Sequence, residues 1–217
     1  MQISVKNDIK QLTKDLNKVQ SRQIPFAVIS ALSTLAFDCR KTVQTILPDY
    51  IDKPTPFTTR SIQVKKASKK RLIAEVGFAS KTFGRLPKNA GTVPADYMSL
   101  QITGGTRQPR KQSIPVPTKH LRTNKFGNIP KGRISKLLAD KDKYFSGTPK
   151  GLDKSAAGIW QRMGRKKPGK IRMVVAWEPK ADYQKRFPFK RIMTKTIKQN
   201  FRKRFDNSLR KALETAR

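Results

Sequence analysis

The sequence predicts an α+β fold: two long amphipathic helices packed on a small, mainly antiparallel β-sheet, with a long loop-rich insertion. Three observations predict it. Apolar residues recur every three or four positions in two long stretches, one towards each end of the chain. Short alternating runs lie just inside those stretches. Between the runs is a tract rich in proline and glycine, with only intermittent apolar signal. One domain over residues 1–217 is expected, its core drawn from 1–78 and 170–217, with a loop-rich assembly region at 79–169.

Residues 5–20 are polar but carry Ile9, Leu12 and Leu16 at helical spacing, and read as a short amphipathic helix. Pro25 suits the first turn of a second helix over 24–46. There Val28, Leu32, Leu35, Cys39, Val43 and Ile46 form an apolar stripe, which Pro48 is expected to end. Residues 48–60 contain three prolines and read as a loop. Ile62 and Val64 then share one strand face, and Leu72, Ala74, Val76 and Phe78 share another, so 60–66 and 72–78 form a hairpin with a basic connection. Residues 97–102 fit a short strand or helix, and 134–138 a short helix. Ile171, Met173, Val175 and Trp177 alternate with Arg172 and Val174 in a central strand ended by Pro179, expected to join the hairpin's sheet. Finally Phe189, Ile192, Met193, Ile197, Phe201, Phe205, Leu209, Leu213 and Ala216 trace a terminal helix. Arg191, Lys195, Lys198, Arg202, Lys203, Arg210 and Lys211 occupy much of its remaining surface.

Charge narrows the function. Forty-nine lysines and arginines face fourteen acids across 217 residues, a formal +35. Residues 1–50 carry +3, 51–150 carry +17 and 151–217 carry +15, so the excess runs through the periodic segments and is not a detachable arm. Such a surface repels itself and calls for a polyanion or an acidic protein neighbour. The hydrophobic share, 36%, allows a thin core. Cys39 stands alone, so no disulfide framework forms within the chain. No apolar signal-peptide run opens the sequence, and the longest apolar-rich stretch, 26–37, is too short to span a bilayer. A soluble protein made in the cytosol, without a membrane partner, is expected.

Chemistry is sparse. His120 is the single histidine and lies in a proline-rich loop, while Cys39 lies on an apolar stripe, so neither a metal set nor a nucleophile–base pair can be assembled. Asp140 and Asp142 are embedded among lysines and do not suggest paired-carboxylate catalysis. Gly104 and Gly105 are followed by no Gly-Lys-Ser/Thr, and read as a tight turn rather than a phosphate loop. No enzymatic activity, metal or cofactor is expected. The basic clusters Lys65, Lys66, Lys69, Lys70 and Arg71, then Arg107, Arg110 and Lys111, then Arg165, Lys166 and Lys167, are candidate contacts to DNA phosphates or to an acidic partner. Aromatics fall mostly on core stripes rather than among these cations, which argues against base reading.

Four segments carry a family likeness: residues 55–62, from Thr55 through Pro56, Phe57 and Arg60 to Ile62; residues 97–107, from Tyr97 to Gly104, Gly105, Thr106 and Arg107; residues 124–130, with Asn124, Gly127, Asn128, Ile129 and Pro130, followed by the 134–138 helix; and residues 158–162, with Trp160 and Arg162. In this order they resemble the minor tail protein Z family of tailed bacteriophages and prophages. The resemblance implies a structural virion protein that completes the tail and joins it to the head or neck. It also implies a homo-oligomeric ring around the DNA channel, a hexamer or dodecamer, with neck, adaptor or tail-tube proteins as neighbours and backbone contact with channel DNA. Gly104, Gly105, Arg107, Gly127, Asn128, Pro130, Trp160 and Arg162 are then the candidate assembly motif. Synthesis in the host bacterial cytoplasm and residence in the virion follow from the same resemblance. The alternative from charge alone is a sequence-nonspecific nucleic-acid-binding protein.

Overall fold

The computed structural model describes residues 3–4, 18–86, 91–109, 112–153, 156–164 and 169–215. The helix read over 5–20 falls almost wholly outside them. In chain order the first elements are β1 (Ile3–Ser4), α1 (Lys18–Tyr50), α2 (Pro56–Arg60), β2 (Ile62–Lys65), β3 (Glu75–Phe78) and α3 (Pro94–Thr103). Then come β4 (Gly105–Arg107), β5 (Ile114–Pro117), α4 (Arg133–Ala139), β6 (Tyr144–Gly147) and β7 (Gly158–Arg162). The last are β8 (Ile171–Glu178), β9 (Ala181–Tyr183) and α5 (Phe189–Glu214). The α+β class holds, with antiparallel pairing throughout. Among the described residues no helix is long and apolar enough to cross a membrane.

The chain divides into two compact units. The first comprises residues 1–103 and 185–217; the second is the insertion 104–184. In the first unit α1 packs along α5, and the β1–β3–β2 sheet covers the pair. The predicted stripe of α1 is the core: Val28, Leu32, Leu35, Cys39 and Val43 are all buried, joined by Leu47. Phe187 and Phe189 lock the start of α5, with Phe187 edge-on to Tyr50 at 5.7 Å. Further along, Phe201 and Phe205 stack at 6.0 Å. Leu213 is exposed, and Ala212 takes the buried place instead.

Both prolines expected to bound the second helix lie inside α1. Each removes one N–H from the ladder. Burial of Ile24, Ala27 and Val28 around Pro25, and of Leu47 beside Pro48, outweighs those missing bonds and carries the helix on. Across the α1–α5 seam, Arg204 grips Asp38 with two bonds, Nε–Oδ2 at 2.6 Å and Nη2–Oδ1 at 2.9 Å.

The second unit overturns two expectations. The 171–177 strand does not join the hairpin. As β8 it is central, but in its own sheet of order β5–β8–β7–β6, where both its edges are taken. The hairpin gains β1 instead. The 79–169 tract also holds more than the two short elements expected at 97–102 and 134–138, which are α3, in the first unit, and α4: it adds the strands β4, β5, β6 and β7. Pro115 and Pro117 fit because β5 is an edge strand, where a missing N–H faces no neighbour. Leu121, Leu137, Ile159, Val174 and Val175 form this unit's small core. A Cβ at Gly158 would strike the Val175 carbonyl, so β7 and β8 approach closely only because this position lacks a side chain.

Candidate functional site

The hairpin brings its five predicted cations together, but engages three of them internally. Glu75, on the inner strand β3, is 6% exposed and needs a counter-charge. Arg71 supplies it at 2.8 Å, and Lys65, opposite Glu75 in register, adds a longer contact at 3.9 Å. Lys66 lies over the Phe37 ring, its ammonium 5.6 Å from the centroid. Reciprocal backbone bonds between Ser68 and Arg71, 2.9 and 3.1 Å, close a tight turn. Lys69 and Lys70 are its two central residues, both exposed.

Arg107 is exposed on β4 and pairs in register with Ala181 of β9. Beside it the Thr106 hydroxyl, ahead of Lys180, holds the Asp182 carboxyl below the usual range. Arg110, Lys111, Arg165, Lys166 and Lys167 lie outside the described residues.

The motif residues serve local architecture. Gly104 and Gly105, with φ of 78° and 126°, turn the end of α3 into β4, a passage that β-carbon-bearing residues resist. The Asn124 side chain accepts from the N–H of Phe126 and of Asn128, both at 3.0 Å, and Gly127 completes that turn in the left-handed region. The Pro130 carbonyl accepts from Arg133 N at 3.0 Å and leads into α4. Trp160 is buried, its indole donating to the Ala156 carbonyl. The Arg162 guanidinium donates to the carbonyls of Lys141 and Asp142 at 2.8 and 3.1 Å and stacks 4.8 Å from the Phe145 ring. All of these residues belong to the second unit.

A second cationic surface was legible only as a helix face. An open groove of about 1110 Å³ in the first unit is lined by Lys185, Arg186, Lys190, Arg191, Lys195 and Lys198, all exposed. Among the described residues none of these six has a carboxylate partner. The segment before α5 is fixed by two bonds to one acceptor: Arg186 N and Phe187 N both donate to the Gln101 carbonyl, at 2.9 and 2.8 Å. The groove's signal in sequence is cations at helical spacing after residue 189, which the density of the hairpin cluster overshadows.

Among the described residues no group of three or more His, Cys, Asp or Glu could hold a metal ion. Cys39 is 1% exposed, and burial, with Asp38 adding to it, pushes its thiol up to about 12. It is a packing residue, not a nucleophile. His120 is exposed in the turn after β5. No family model, curated protein or solved structure matches the chain.

Proposed function

We propose that this chain is a structural, non-enzymatic virion subunit that completes a phage tail and joins it to the neck, as a homo-oligomeric ring around the DNA channel. The observation that carries the reading is how the resemblance residues are used. Gly104, Gly105, Gly127, Asn128, Pro130, Trp160 and Arg162 form turns, strand pairs and packing contacts within one inserted unit. Residues used for architecture suit a subunit whose role is shape. The uncompensated cations on both hairpin and helix supply the attraction such a subunit needs towards DNA or acidic neighbours.

The test is electron microscopy of phage lysates from which this chain has been deleted. Separate heads and tails are expected, with joining restored when the chain is supplied. Joined, infectious particles without it would overturn the proposal. The second reading, a sequence-nonspecific nucleic-acid-binding protein outside any particle, is favoured by the unpaired groove cations. Purified particles that lack the chain, alongside salt-sensitive duplex binding by the isolated protein, would establish it.

A further inference from the structure

We propose that one face of α5 is a binding surface for the phosphate backbone of duplex DNA. It centres on a stripe of Arg191, Lys195, Lys198 and Arg202, flanked by Arg186 and Lys190. The inference deepens the proposed function by naming the anion and the residues that meet it, and rests on that reading only for where the DNA is encountered.

The stripe is regular. Its members stand at i, i+4, i+7 and i+11, on one side of a continuous 26-residue helix. At a rise of ~1.5 Å per residue it runs for about 16 Å, with a cation every 5–6 Å or so. All four side chains are exposed. Arg202 has a distant partner, Asp206 at 3.9 Å; the others have none among the described residues.

The arrangement works against the helix that carries it. Like charges three and four residues apart repel along a helix face. Lys190 and Arg191 also sit in the first turn, where the macrodipole is positive and no acidic residue offsets it. Other cations of the first unit do have a carboxylate: Arg71 and Lys65 share Glu75, and Arg204 clamps Asp38. A stripe left uncompensated, on a helix anchored by buried Phe189, Ile192 and Met193, is therefore built for a partner of opposite charge.

Regularity favours nucleic acid over an acidic protein. Phosphates present negative charge at fixed short intervals along each strand, whereas a folded protein's surface mixes both signs. Of the aromatic rings that line the groove, Phe187 and Phe189 are buried and engaged with each other at 6.1 Å, and half-buried Tyr50 is held edge-on to Phe187 at 5.7 Å, so none presents a free face to stack on bases. The contact is thus to backbone and independent of sequence.

The test uses the full-length protein and a fluorescent duplex of arbitrary sequence, with anisotropy followed across NaCl concentration. Replacing Arg191, Lys195 and Lys198 together by Gln is expected to lower the slope of log K against log salt by about 3, at ~0.9 per phosphate contact. A control triple, Lys131→Gln, Lys136→Gln and Lys150→Gln in the second unit, makes the same change in net charge and is expected to leave the slope within about 0.5 of the parent. The swap Arg191→Lys, Lys195→Arg and Lys198→Arg should keep the parent slope. Far-ultraviolet circular dichroism and a urea transition verify that each variant folds. Equal slope changes in the two Gln triples, or no change in the first, would overturn the proposal. So would poly-L-glutamate binding as tightly as the duplex and being lost with it, which would assign the stripe to an acidic protein. A failed slope test with heads and tails still separating on deletion sinks this inference and spares the proposed function. The reverse pair of results does the opposite.

Discussion

The two units are held together by different means. The first rests on a long seam of large side chains, in which α1 and α5 bury Val28, Leu32, Leu47, Phe187, Phe189 and Met193. The second has a core cluster of five buried apolar residues, and depends on strand ladders, glycine turns and side chains tied to backbone carbonyls. Stability drawn from burial survives local backbone errors. Stability drawn from close backbone approach does not. The same division appears in the charges, since the first unit's stiff helix can hold a repelling stripe that short strands could not.

Four measurements can break or sharpen this contrast. The largest effect is expected from Phe187→Ala. The ring is fully buried between Tyr50, Phe78 and Phe189, and its loss should cost about 4 kcal/mol in urea unfolding, with exchange protection of α1 and α5 falling together. Survival of that protection would mean the seam is not where the unit's stability lies. Next comes Arg71→Ala, which strips the close partner from buried Glu75 while distant Lys65 remains. A loss of about 2 kcal/mol is expected, and Glu75→Gln in the same background should recover part of it.

In the second unit a single added methyl should matter. Gly158→Ala forces β7 from the Val175 carbonyl and should cost about 2 kcal/mol, with faster exchange confined to β5–β8. An unperturbed variant would refute the claim that backbone approach limits this unit. The fourth effect is alkaline and is absent near neutral pH. The Cys39 thiol is protonated in both folded and unfolded chains below its ordinary value of 9.0. Above that the unfolded chain releases the proton while the folded one keeps it up to about 12. Stability therefore falls as pH rises through this window, by about 1.4 kcal/mol per unit. Cys39→Ala should lack this part of the slope, and parallel curves for the two proteins would argue against a buried thiol.

Legibility followed the same division. The α1 and α5 stripes could be read because many apolar residues repeat over many turns. The ends of α1 could not, since Pro25 and Pro48 signal a break that neighbouring burial overrides. In the insertion, strands of three to five residues carry too few apolar positions to show a period. The prolines of β5 mimic a loop until its edge position is known. That β8 pairs outside the hairpin's sheet depends on which edges are already filled, and β5 and β7 are short runs that sequence alone leaves faint. The candidate site was legible in residue type but not in availability. Lys65 and Arg71 look as free as Lys195 until buried Glu75 claims them.

The pairing of β4 with β9 has an evolutionary consequence. Gly105 lies opposite Tyr183, so the entry and exit of the inserted unit are cross-strand neighbours, roughly 5 Å apart. Whatever lies between them can lengthen, shorten or be exchanged without moving the two ends where the host segment resumes. The insertion thus has the geometry of a replaceable cassette, whose length can change while the two ends of its host stay together.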